Sequence, residues 1–119
     1  MAWEYSQSTG VLTHNGQHYA FGYSGKGKAK NDPSTERILN IGPIPKGHYR
    51  ITGHNNHKGP WTVILEPIMG TNTFGRTAFR VHGDNPQTVG DSSEGCIVIN
   101  GAHLRQRMVT SGDTILVVR

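Results

Sequence analysis

The chain has a single cysteine, Cys96, so no internal disulfide staples it. It has no apolar run long enough to cross a bilayer, and no charged-then-apolar leader. Its opening, "MAWEYSQSTG", reads as a first strand instead. These absences predict a protein made in the cytoplasm without a signal peptide and not inserted in a membrane, whose export would need another route. Charge is scarce (17 %) and of both signs, which argues against bulk disorder. An aromatic-rich RNA-binding signature, a cysteine pair and an HExxH helix are all missing. Neither a repeat nor a domain linker divides the chain, so residues 1–119 are expected to form one domain.

What is present is glycine (16), proline (6) and short runs of alternating apolar and polar residues. Many short strands joined by turns follow from this. "AWEYSQ" and "QHYAFGYSG" alternate as half-buried strands do, and Asn15-Gly16 between them is a hairpin signal. Residues 24–37 read as a polar loop. Strands are expected at His48–Thr52, in "WTVILEPI" (ended by Pro67), in "TAFRVHG", in "GCIVIN" and in "TILVVR". One helix fits, near residues 101–109, with Leu104 and Met108 on one face, Asn100 as its cap and Gly112 at its end. The expected fold is mainly β, a compact β-sandwich or barrel-like domain with one short helix.

The net charge of +4 favours anionic partners in general: nucleic acid, acidic lipid or an anionic cell-wall polymer. Lys26, Lys28 and Lys30 alternate with small residues and read as a solvated basic loop. His54 and His57, and His14 and His18, have short metal-like spacings, and Cys96 with His82 would complete a tetrahedral site. Yet the loop around His54 fixes neither ring, so no metal and no cofactor are expected.

The chemistry-bearing stretch is "RVHGDNPQTVGDSSEGCIV". A thiolate attacks carbonyls and a thiol barely does, so cysteine enzymes place an imidazole beside the sulfur. They also aim backbone N–H groups at the developing oxyanion. His82 ends one expected strand and Cys96 begins another, and the loop between them is of a length to bring both to one sheet edge. Gly95 permits a sharp turn that turns its own N–H and that of Cys96 outward. The opposing account is a buried thiol and a satisfied strand histidine in a basic cell-wall or nucleic-acid binding module.

His82-Gly83 followed by Ser93-x-Gly95-Cys96-Ile97 resembles the signature of the L,D-transpeptidase (YkuD-like) catalytic domain. "GPIPKGHYRI" is similar to a second segment of that family through Pro45, Gly47 and Tyr49. Histidine precedes cysteine here, the reverse of papain-like order. Trp3, Tyr5, Thr9, Gly10, "GYSGKGKAKND" and "GPIPKGHY" further resemble the small antibacterial effectors of type VI secretion within that superfamily. The resemblance implies attack by Cys96 on peptidoglycan stem peptides, with His82 as base and then acid. The outcome would be L,D-carboxypeptidase activity with D-amino acid exchange, in the periplasm of a target cell. It also implies an immunity protein and a component of the secretion apparatus as partners.

Two residues depart from housekeeping members of the family, Glu94 where many carry His and Val98 where many carry Arg or Asn. The group that orients the imidazole is open between a backbone carbonyl, Ser92, Ser93 and Asp84; Ser93 stands with His82 and Cys96 as a catalytic candidate. Gly83 and Gly95 are expected to shape the oxyanion turn. Tyr23 is a substrate-facing candidate, as is Arg80, which alternation puts on the His82 side of its strand, in reach of a stem-peptide carboxylate.

Overall fold

A computed structural model describes residues 2–119; Met1, inside the single domain expected from the sequence, lies outside them. Nine strands and one helix follow in order: β1 (Trp3–Tyr5), β2 (Val11–His14), β3 (Gln17–Phe21), β4 (Tyr23–Ser24), β5 (Gly47–Asn55), β6 (Thr62–Ile68), β7 (Arg80–His82), β8 (Ile97–Val98), α1 (Ala102–Thr110) and β9 (Ile115–Val118). The mainly β expectation is met. Asn15 and Gly16 both take positive φ, 53° and 81°, and fold β2 back on β3 as the hairpin signal predicts.

All nine strands belong to one sheet, in the order β3-β2-β1-β9-β5-β6-β7-β8-β4. Its two edges, β3 and β4, are consecutive in the chain and separated only by Gly22. A sheet whose edges lie one residue apart must curl on itself, which makes the architecture barrel-like. Gly22 is the seam. Its N–H bonds the Gly10 carbonyl (2.8 Å) beside β2, while a Cβ there would meet the Val98 carbonyl oxygen on β8 at 2.1 Å. The single strand expected over "QHYAFGYSG" is therefore two strands, cut where the backbones crowd too closely for a side chain.

Inside the curl the fully buried apolar residues include Trp3, Tyr5, Leu12, Tyr49, Val63, Val81, Ile97 and Leu116, one or more from every strand except the edge pair β3 and β4. α1 closes one opening with Met108 fully buried and Leu104 packed against the cluster. The helix starts one residue later than expected for its cap. Gly101 (φ 93°) occupies that position without a side-chain bond, and Asn100 instead accepts from the Asp84 N–H (2.8 Å). Gly112, just past the last turn, takes φ 87°.

Pro67 does not end β6; it pairs with Tyr49 of β5 inside the strand. β7 pairs only with Val63 and Ile64, so no strand asks Pro67 for the donor it lacks. β9 runs parallel to β1 on one side and antiparallel to β5 on the other.

Candidate active site

β7 and β8 are short because each is flanked by irregular chain, and they lie side by side and parallel, Val81 beside Ile97 and His82 beside Val98. Val81 and Ile97 point one way, into the core. Successive residues alternate faces, so His82 points the other way. Continuing the register by one residue sets Cys96 beside Arg80, on the same face as His82 and diagonal to it.

The imidazole is buried, 4 % exposed. Its Nδ1 lies 2.8 Å from the Gly83 carbonyl oxygen. A carbonyl only accepts, so Nδ1 carries the proton and Nε2 carries the lone pair. Burial pushes the imidazole pKa below its ordinary 6.5; the Gly83 bond opposes this, and the cations Lys58 and Arg105 add to it. His82 therefore rests neutral, as a base must.

Of the groups open as its orienting partner, the backbone carbonyl of Gly83 is the one in contact. Asp84 is engaged elsewhere: it accepts from the Tyr23 hydroxyl, from the Gly90 N–H (3.2 Å) and lies 2.8 Å from the Ser92 hydroxyl. Together with the Ser92 N–H donating to the Tyr23 oxygen (2.8 Å), this ties the 84–92 loop to β4.

Cys96 is 9 % exposed. Burial pushes its thiol pKa above the ordinary 9.0, against the Arg80 backbone N–H and the positive charges of Lys58, Arg80 and Arg76, which favour the thiolate. The sulfur lies 3.7 Å from the Ala78 carbonyl oxygen, to which it donates. At rest the pair is thus a neutral thiol and a neutral imidazole.

The turn that presents Cys96 is built around Ser93, which is fully buried. Its Oγ donates to the Cys96 carbonyl (2.6 Å) and accepts from the N–H groups of Gly25 (2.9 Å) and Gly95 (3.2 Å). Ser24 Oγ, from β4, donates to the same Cys96 carbonyl (2.9 Å). Ser93 has its donor and acceptors spent on backbone and holds the turn rather than the imidazole. The Gly95 N–H faces Ser93 instead of pointing outward, whereas the Cys96 N–H has no acceptor among the described residues.

Gly95 takes φ 120°, and a Cβ there would lie 2.0 Å from Arg76 Nη2. That guanidinium is buried beneath the turn and donates to the carbonyls of Glu36, Pro43 (2.8 Å) and Gly42 (2.8 Å). Gly83 has a similar neighbour. A Cβ there would come 3.1 Å from Arg105 Nη1, so its lack of a side chain admits a second buried guanidinium. Arg105, on α1, donates to the carbonyls of Ile99 (2.6 Å), Pro60 (2.8 Å) and Trp61 (3.1 Å). Neither arginine is legible as a site residue in the sequence, since each sits in a polar stretch that reads as surface.

A cleft of about 760 Å³ opens over His82, walled by Lys58, Pro60, Gly83, Asp84, Glu94 and Arg105 among others. Cys96 does not itself line it, and neither do Tyr23 and Arg80. The Tyr23 hydroxyl is committed to Asp84 and Ser92, and Arg80 Nη1 turns back to the Phe79 carbonyl (2.8 Å). Three cations line the cleft, Lys26, Lys58 and Arg105. Among the described residues no three His, Cys, Asp or Glu side chains converge on one point. His54 stacks on Trp61 (4.1 Å), and His14 stacks on Trp3 (3.8 Å) while pairing with Asp113 (2.6 Å). No helix among the described residues is long and apolar enough to cross a membrane.

No curated protein and no solved structure matches the chain. A family model does: the Tlde1 domain, over residues 18–115, a span that runs from β3 through the cleft and both candidate reacting residues to β9. The chain therefore belongs to the Tlde1 domain family, a family of antibacterial effectors that type VI secretion delivers into target cells.

Proposed function

We propose that this effector is a peptidoglycan-modifying cysteine enzyme, an L,D-carboxypeptidase that removes the terminal D-alanine from tetrapeptide stems and can exchange it for another D-amino acid. One observation carries the reading: His82 ends β7 and Cys96 immediately precedes the neighbouring β8, so the parallel register, continued by one residue, sets both on one sheet face, with the imidazole proton fixed on Nδ1 by Gly83. In the reaction Nε2 takes the thiol proton as sulfur bonds to the carbonyl carbon before D-alanine. The Cys96 N–H donates to the resulting oxyanion. Imidazolium then protonates the departing amine, the C–N bond breaks, and a thioester remains. Water, deprotonated by the same nitrogen, cleaves the thioester to the tripeptide acid and restores the thiol. A D-amino acid amine in place of water gives exchange.

The raised thiol pKa supports proton transfer during attack rather than a resting ion pair. Such chemistry needs no cofactor. The stem peptides place its action in the target periplasm, and the producing cell then needs an immunity protein, with a component of the secretion apparatus as a further partner. The test is mass spectrometry of tetrapeptide-bearing muropeptides after incubation with the protein or with Cys96→Ala. Loss or replacement of terminal D-alanine by the unmodified protein alone is expected. Unchanged muropeptides with a folded protein overturn the enzyme reading and leave a basic cell-wall binding module with a buried thiol.

A further inference from the structure

Lys58 sits in the tight connection between β5 and β6, where the chain has little freedom. Its own N–H bonds Thr62 Oγ1 (3.2 Å), and that hydroxyl donates to the Gly59 carbonyl (2.8 Å). Arg105 pins the next two carbonyls, Pro60 and Trp61, to the helix. The backbone under Lys58 is thus fixed on the wall of the cleft that contains His82, while its side chain is exposed. Among the described residues its ammonium has no carboxylate within ion-pair distance.

Other cations are less suited. Arg105 spends its donors on three carbonyls, and Arg80 is off the cleft. Lys26 lines the cleft, but it is Lys58 whose charge is felt at both His82 and Cys96. The carboxylates of the cleft, Asp84, Asp91 and Glu94, all belong to the 84–94 loop.

We propose that Lys58 is the carboxylate-recognition residue of this cleft, binding the α-carboxylate of the terminal D-amino acid. The inference rests on the carboxypeptidase reading above. Its chemistry follows from covalent geometry. In a C-terminal amino acid the carboxylate carbon is within about 4 Å of the scissile carbonyl carbon, on the side of the departing amine. His82 must face that amine to protonate it, so a cation beside His82 faces the carboxylate. Exchange is the reverse of acylation with a new amine, and the incoming D-amino acid brings its carboxylate to the same place. Lys58 then selects a chain end over an internal peptide bond, and a D-amino acid over a simple amine.

The experiment measures calorimetric binding of a tetrapeptide stem and of its C-terminal carboxamide to Cys96→Ala protein, with and without Lys58→Gln or Lys58→Arg. The acid is expected to bind about 10- to 100-fold more tightly than the amide. Lys58→Gln should erase that ratio, and Lys58→Arg should keep most of it, with circular dichroism unchanged. Equal binding of acid and amide overturns the proposal, as does a ratio that survives Lys58→Gln or an acid that does not bind. Turnover by the Cys96 protein is read separately. Discrimination without D-alanine release leaves the subsite standing and sinks the hydrolase. Release without discrimination does the opposite.

Discussion

Replacing Ser93 by alanine separates a serine that holds the nucleophile turn from one that takes part in the chemistry. The hydroxyl is fully buried and makes three bonds, to the Cys96 carbonyl and from the N–H groups of Gly25 and Gly95. The Cys96 carbonyl keeps a partner in Ser24 Oγ. The two N–H groups lose theirs, and each buried donor left unpaired costs about 1–3 kcal/mol. Ser93→Ala is therefore expected to lose about 2–6 kcal/mol, an appreciable share of the stability of a domain this size. Melting followed by circular dichroism should drop by roughly 10–20 °C. Activity measured well below the new midpoint should fall because the turn loosens, with the acid limb of the pH profile in place. A Ser93→Ala protein of unchanged stability that has lost all turnover would refute this accounting, and the hydroxyl would have to act on the substrate or the imidazole.

Three predictions concern protons. With the His82 pKa below 6.5, the acid limb of kcat/KM should have its midpoint below pH 6.5, and Lys58→Gln should move that limb upward by removing a nearby positive charge. In stability the unfolded chain binds a proton at His82 before the folded one does. Stability from this site is therefore complete above pH 6.5 and declines as pH falls through that value, a slope that His82→Asn should flatten in urea titrations. The buried thiol of Cys96 should alkylate with iodoacetamide more slowly at pH 7 than free cysteine does, and accelerate as pH passes 9.0. Fast alkylation at neutral pH, dependent on His82, would reveal a resting thiolate–imidazolium pair instead.

Local signals in the chain were sufficient for what is locally decided. Asn15-Gly16 dictates its turn through positive φ, Met108 and Leu104 declare the inner face of α1, and the order His82 then Cys96 on two β-rich stretches foretells neighbouring strands. What stays hidden depends on atoms distant in sequence. Gly22 looks like part of one strand until Val98, brought beside it by the curl of the sheet, excludes a side chain. Arg76 and Arg105 look exposed until the carbonyls of residues 36–43 and 60–61 are gathered around them. Ser93 looks equally suited to chemistry or to a turn, and only the positions of Gly25 and Gly95 decide how its oxygen is used.

β9 has a consequence for when the molecule can exist as a working unit. Among the described residues it is the only strand paired with both β3-β2-β1 and β5-β6-β7-β8-β4, and it follows the other eight in the chain. Pairing Trp3 with Leu116 closes a loop of more than a hundred residues, the kind of contact that makes folding slow and late. A growing chain on the ribosome can form the β2–β3 hairpin and the β5–β6 ladder, yet apart from the Gly22 seam between β3 and β4 the ladder that bridges the two groups of strands awaits β9. The two groups of strands are thus bridged only once β9 has formed, and a chain interrupted before Ile115 lacks the strand that bridges them.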